Sequence, residues 1–156
     1  MVLMLIVMVA LGTIAGLTVI SVQGGATQAS TQQFSAKALY AAESGAAAAM
    51  AWLRTQYTLA DRFTPVLGQT PAQLPGNGIQ PGQSGNLLSD DQQGWYQVTL
   101  LNNPNDRGGS NLDTDSIVII QVTGRGPNGA MRRLEWQVRK DDAVNALTLV
   151  SWRELF

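Results

Sequence analysis

No charged side chain occurs in the first 36 residues; the first is Lys37. At the head of that stretch, residues 1–22 (MVLMLIVMVALGTIAGLTVISV) hold nothing more polar than Thr13, Thr18 and Ser21, and twelve of the 22 are Val, Leu or Ile. As a helix rising about 1.5 Å per residue, the run is roughly 33 Å long, close to the ~30 Å hydrocarbon core of a bilayer. Each such aliphatic residue near the bilayer centre favours insertion by about 0.3–0.6 kcal/mol, which sums to several kcal/mol. A small remainder cannot wrap a helix that is apolar all round, so a single membrane span is expected. Signals and anchors normally place Lys or Arg ahead of the apolar run, whereas this run begins at Met1. The expectation is a basic leader removed just before the span, leaving the span in the mature chain.

The helical pattern continues past the span. Gly24-Gly25 interrupts it, then residues 26–57 run on without Pro, and 11 of residues 26–51 are Ala, the best helix former. Phe34, Ala38, Ala41, Gly45, Ala49 and Trp52 recur at spacings of three and four, with Leu39, Ala42, Ala46, Met50 and Leu53 beside them. This stripe is wide enough to cover one face of a sheet. Gly12 and Gly16 form a G-x-x-x-G spacing that permits helix backbones to approach closely in an apolar medium. Gly24 and Gly25 each weaken a helix interior by about 1 kcal/mol relative to Ala.

Residues 58–94 are rich in Pro, Gly, Gln, Ser and Asn, which forbids a long helix or central strand there. Strand patterns follow at 95–101 (WYQVTLL), 116–123 (SIVIIQVT), 131–139 (MRRLEWQVR) and 144–152 (VNALTLVSW), with a turn at 124–129. The expected fold is α+β: a long N-terminal helix packed on a small antiparallel sheet. It is organised as 1–25 (span), 26–57 (amphipathic half of the same helix), 58–94 (loop) and 95–156 (sheet).

The chain has no Cys and no His, which removes thiolate nucleophiles, Cys- or His-ligated metals, and any His-based triad. A net charge of −1 argues against a nucleic-acid surface. In the loop after the first strand, Asn111, Asp113 and Asp115 alternate near Asn103, Asn105 and Asp106, a set of oxygens that calcium would accept. The spacing is not that of an EF-hand, and a solvated turn is preferred, so neither metal nor cofactor is assigned. Asp90-Asp91 and Asp141-Asp142 sit where Asp favours turns. Arg132, Arg133, Arg139 and Lys140 are diluted by Glu135, Asp141 and Asp142 and read as a mixed solvated strand face. Trp52, Trp95, Trp136 and Trp152, one on the helix and one per strand on three strands, are expected to share a core. No catalytic residue is assigned, and the chain is not expected to be an enzyme.

The apolar start, the phrase FSAKALYAAESGAAAAMAWLR, the loop, and a sheet ending VSWREL together resemble a type IV pilin, specifically a PilX-type minor pilin. The likeness is firmest over residues 1–54, a region that pilins share with type II secretion pseudopilins. The resemblance implies cleavage by prepilin peptidase and N-methylation of Met1. It also implies anchoring in the inner membrane with the sheet domain periplasmic, then entry into a pilus. Partners would be other minor pilins and the major pilin through their N-terminal helices, with the membrane assembly platform and a tip adhesin as further contacts. Major pilins carry Glu at position 5, where it neutralises the terminal amine of a neighbouring subunit; this chain has Leu5. Lacking that acid, the subunit is expected at or near the filament tip, priming assembly. A pseudopilus tip subunit and a stand-alone membrane-anchored periplasmic enzyme or binding domain are the alternatives.

Overall fold

The structure, a computed structural model, describes residues 2–68, 74–88, 93–141 and 146–155; over 2–7 and 9–17 it describes the backbone alone. The first element is a helix, α1 (Val2–Gln56), followed by a short 3-10 turn at Thr64–Val66 and four strands. These are β1 (Trp95–Asn102), β2 (Ile117–Arg125), β3 (Met131–Asp141) and β4 (Ala146–Leu155). They form one antiparallel meander in the order β1-β2-β3-β4. The α+β class and the antiparallel sheet expected from the sequence are both present. The helix runs through Gly24 and Gly25 without a break, and the last strand starts and ends later than its apolar pattern indicates.

The chain forms two compact units, Met1–Gln33 and Phe34–Phe156. In the first, all described residues are exposed except Ser30, which is half-buried. Val19, Ile20 and Val22 present more than half their surface to the outside. The hydroxyls of Thr27, Ser30 and Thr31 donate to carbonyls three or four residues earlier, at 2.8–2.9 Å. Their polarity is thereby spent inside the helix, an arrangement suited to apolar surroundings. Among the described residues, no helix is long and apolar enough to cross a membrane.

In the second unit, the helical stretch 34–56 lies on the sheet. Ala38, Ala41, Ala42, Ala46, Ala49 and Leu53 are fully buried, as the three-and-four spacing requires. Opposite them stand Tyr96, Val98 and Leu100 on β1, Val118, Ile120 and Val122 on β2, and Leu134 and Val138 on β3. The period-two alternation puts these on one sheet face. Small residues bring the layers unusually close. A Cβ on Gly45 would sit 2.7 Å from the Tyr96 ring, and one on Gly124 would overlap the Ala38 carbonyl and the Ala42 amide. The helix therefore rests backbone to backbone on β2 at Gly124. Ser35 accepts the Arg132 guanidinium, whose Nη1 also donates to Glu154 Oε1 at 2.7 Å, tying helix, β3 and β4 together.

The four tryptophans do not share a core. Trp136 is half-buried against it and Trp52 packs on its edge, but Trp95 lies under the Arg125 guanidinium (5.2 Å) and Trp152 is 65% exposed. Two reasons divide them: alternation sends Trp95 to the sheet face away from the helix while Tyr96 takes the core side, and β4 lies beyond the helix, so only Leu147 is buried there. The four basic residues of β3 likewise do not act as a patch. Alternation sends Arg132 and Lys140 to the helix side and Arg133 and Arg139 to the opposite face.

Candidate functional site

The densest group of chemistry-bearing side chains lies between β1 and β2. Asp106, Asp113 and Asp115 bring carboxylate oxygens within 4.8 Å of one another, with Asp106 and Asp113 buried and Asp115 exposed. Hydrogen-bond donors surround these three carboxylates. Asp106 accepts from Gly108 N–H (2.8 Å), Thr114 N–H (2.7 Å) and the Thr114 hydroxyl. Asp113 accepts from Phe63 N–H (3.0 Å) on one oxygen and from the Asp115 and Ser116 N–H groups (3.2 and 2.8 Å) on the other. Asp115 takes the Asn103 side-chain amide (2.8–2.9 Å) and Ile117 N–H (3.1 Å).

These bonds explain why Asp and Asn fill the loop: short acceptors close turns on their own backbone. They also explain its attachment. The Phe63 N–H bond and the Asp113 N–H to Thr64 Oγ1 bond (3.1 Å) fasten the loop to the turn after the helix. Nearby, the Tyr57 and Ser116 hydroxyls meet at 3.2 Å. Burial acts to raise the pKa of Asp106, but the Gly108, Thr114 and Asn102 donors outweigh it and hold the carboxyl well below the usual range.

Asp106, Asp113 and Asp115 are the residues that could present oxygens to a hard cation such as calcium. Of the oxygen-bearing residues singled out from the sequence, Asp106, Asp113 and Asp115 form the group, and Asn103 donates to Asp115. Asn111 stands outside it: it is exposed, and its Oδ1 accepts from the Ser110 hydroxyl at 3.3 Å. Asp106 joins the group by bonding Thr114, eight residues downstream, a pairing across the loop that residue spacing does not reveal. Among the described residues all six carboxylate oxygens already accept hydrogen bonds. The arrangement thus reads as the lock of the loop.

The remaining sequence-selected residues lie on the helix. Met1 is outside the described residues. Leu5, Gly12 and Gly16 fall in α1, where the side chains are not described. A Cβ added to Gly24 or Gly25 would meet nothing within 4 Å, so both stand open on the surface of the first unit. Asp90, Asp91 and Asp142 lie outside the described residues, and Asp141 closes β3.

Sequence reasoning missed two asparagines that fix the edge of the sheet. Asn77 Oδ1 accepts Val98 N–H (2.8 Å), while Gly78 N–H donates to the Tyr96 carbonyl (2.9 Å). Buried Asn86 bonds the Ile79 and Gly94 carbonyls at 3.2 and 3.0 Å. Together they lay the loop along β1. Their signal was the density of Asn and Gly in 76–86, which marks turns but not their destination.

Among the described residues, fold and site define an α+β protein with a long helix, a four-stranded meander and an acidic loop closed by its own hydrogen bonds. Compared with known proteins, the chain matches no family model, no curated protein and no solved structure.

Proposed function

We propose that this protein is a minor pilin of a type IV pilus: a structural subunit, not a catalyst, that helps start the filament and stays at or near its tip. The observation that carries the reading is one helix, Val2–Gln56, with a division of labour along it. Residues 34–56 seal the sheet through a stripe of Ala and Gly, whereas 18–33 hold no fully buried residue and bear no charge. Such a surface needs lipid or neighbouring helices around it. Lipid first and like helices afterwards is the sequence of surroundings a filament subunit meets.

On this reading the subunit waits in the inner membrane with its sheet domain in the periplasm, then joins other minor pilins and the major pilin through the helix. Leu5 supports the tip position. A carboxylate in the apolar core is costly unless a terminal amine pairs with it. A subunit with Leu5 forgoes that pairing and has nothing to offer a subunit ahead of it.

Deletion of the gene in its native host tests the proposal. Loss or sharp reduction of surface pili, with protein export intact, is the expected result. Export failure with normal pili would instead make the protein a type II pseudopilus subunit. Normal pili and normal export would overturn both.

A further inference from the structure

The two edges of the sheet are treated differently. The β1 edge is occupied by the chain's own loop, through the Asn77 bridge to Tyr96, the Gly78 and Val98 bonds, and Gly68 N–H to the Leu100 carbonyl (2.8 Å). On the other side, among the described residues, β4 pairs with β3 alone. Its outer backbone groups face the surroundings, which is a template for one more strand.

The side chains of β4 prepare that template. A bulge lies in β4 where Val138 pairs with Leu149 and Gln137 with Ser151, leaving Val150 as the extra residue. A regular strand would send Leu149 and Trp152, three residues apart, to opposite faces. The bulge puts both on the helix side, opposite Val138 and Trp136. They are 42% and 65% exposed, beyond the reach of the helix. On the opposite face Arg153 meets Glu135 at 2.7 Å, while exposed Arg133 and Arg139 have no ion-pair partner among the described residues. Arg139 stands beside Thr148, and Arg133 beside Leu155, the residues a fifth strand would flank.

We propose that β4 receives an extended segment of a partner protein as a fifth strand, with acidic residues on its outer face and apolar residues on the alternate positions. The apolar residues cover Leu149 and Trp152, and the acids neutralise Arg139 and Arg133. Charge selects this occupant over a second copy of the chain. Two β4 strands paired about a dyad would bring Arg133, Arg139 and Arg153 of both copies onto one face against only Glu135 and Asp141 of each, an excess of positive charge that an acidic strand would relieve and a second copy would double. The inference rests on the sheet alone and stands apart from the filament reading.

The test uses the full-length protein in detergent micelles and two labelled ten-residue peptides, one alternating Val and Glu, the other alternating Val and Lys. The expected result is saturable binding of the Glu peptide, with slowed hydrogen exchange at 146–155 and none added at 95–102. The Lys peptide should bind at least tenfold more weakly. Trp152→Thr keeps a strand-forming residue at an exposed site, so it should fold normally and lower affinity for the Glu peptide about tenfold. Absence of new protection at 146–155, or equal binding of the two peptides, overturns the proposal. So does a protein that sediments as a dimer with those amides already protected, since a second copy would then hold the edge.

Discussion

At the level of single residues, the fold depends on what is missing from Gly124. Its Cα hydrogens face the Ala38 carbonyl and Ala42 amide, and no side chain fits between. Gly124→Ala should push the helix off β2 and lower unfolding stability by about 3 kcal/mol, the upper range for an overpacked contact. Denaturant titration in micelles checks this, with Gly24→Ala as the contrasting change. That site is open, so Ala there should leave the fold intact and add up to about 1 kcal/mol of helix stability. Asp106 makes a pH prediction. Its carboxyl is held below its unfolded value of about 3.9, so the charged form stabilises the fold above that pH, and the contribution disappears as pH falls further. Asp106→Asn turns an amide towards donors and should cost about 1–3 kcal/mol at neutral pH. It should also flatten the decline of the unfolding midpoint between about pH 4 and pH 2. Since hydrogen-bond donors already satisfy the three carboxylates, chelator should leave the midpoint of the native protein unchanged; a drop on adding EDTA would mean that a metal holds the loop.

Among the elements, helix and strands were readable from the chain because their signals are periodic and local. The Ala stripe from 38 to 49 and the alternation in 117–122 state both the element and its buried face. What escaped was anything decided across distance. The Trp in β4 carries the same apolar signature as the Trp in β3, yet only the width of the helix determines which is covered. The bulge at Val150 leaves no mark in the sequence, because one extra residue changes the pairing and not the composition. In the acidic loop the residue types were legible, but Asp106 reaches Thr114 through a fold of the chain that no spacing rule encodes. Gly24 and Gly25 read as an interruption, and the helix passes through them, since two weak positions do not outweigh the helix formers on either side.

For the whole molecule, the proposed role makes its own demand on Leu5. If the missing acid keeps the subunit at the tip, Leu5→Glu should let it enter behind other subunits. Immunogold labelling of sheared pili should then move from filament ends to positions along the shaft, while the amount of protein per cell stays the same. Labels that remain at the ends would separate tip placement from residue 5.

The sheet has one finished border and one unfinished border. An object of that kind accepts one strand and then has no edge of its own left to offer, so any further growth depends on the outer edge of the strand that docked. On the proposal above, each molecule contributes one edge to such a complex, and its ratio is set by whether the incoming strand hides its own outer edge.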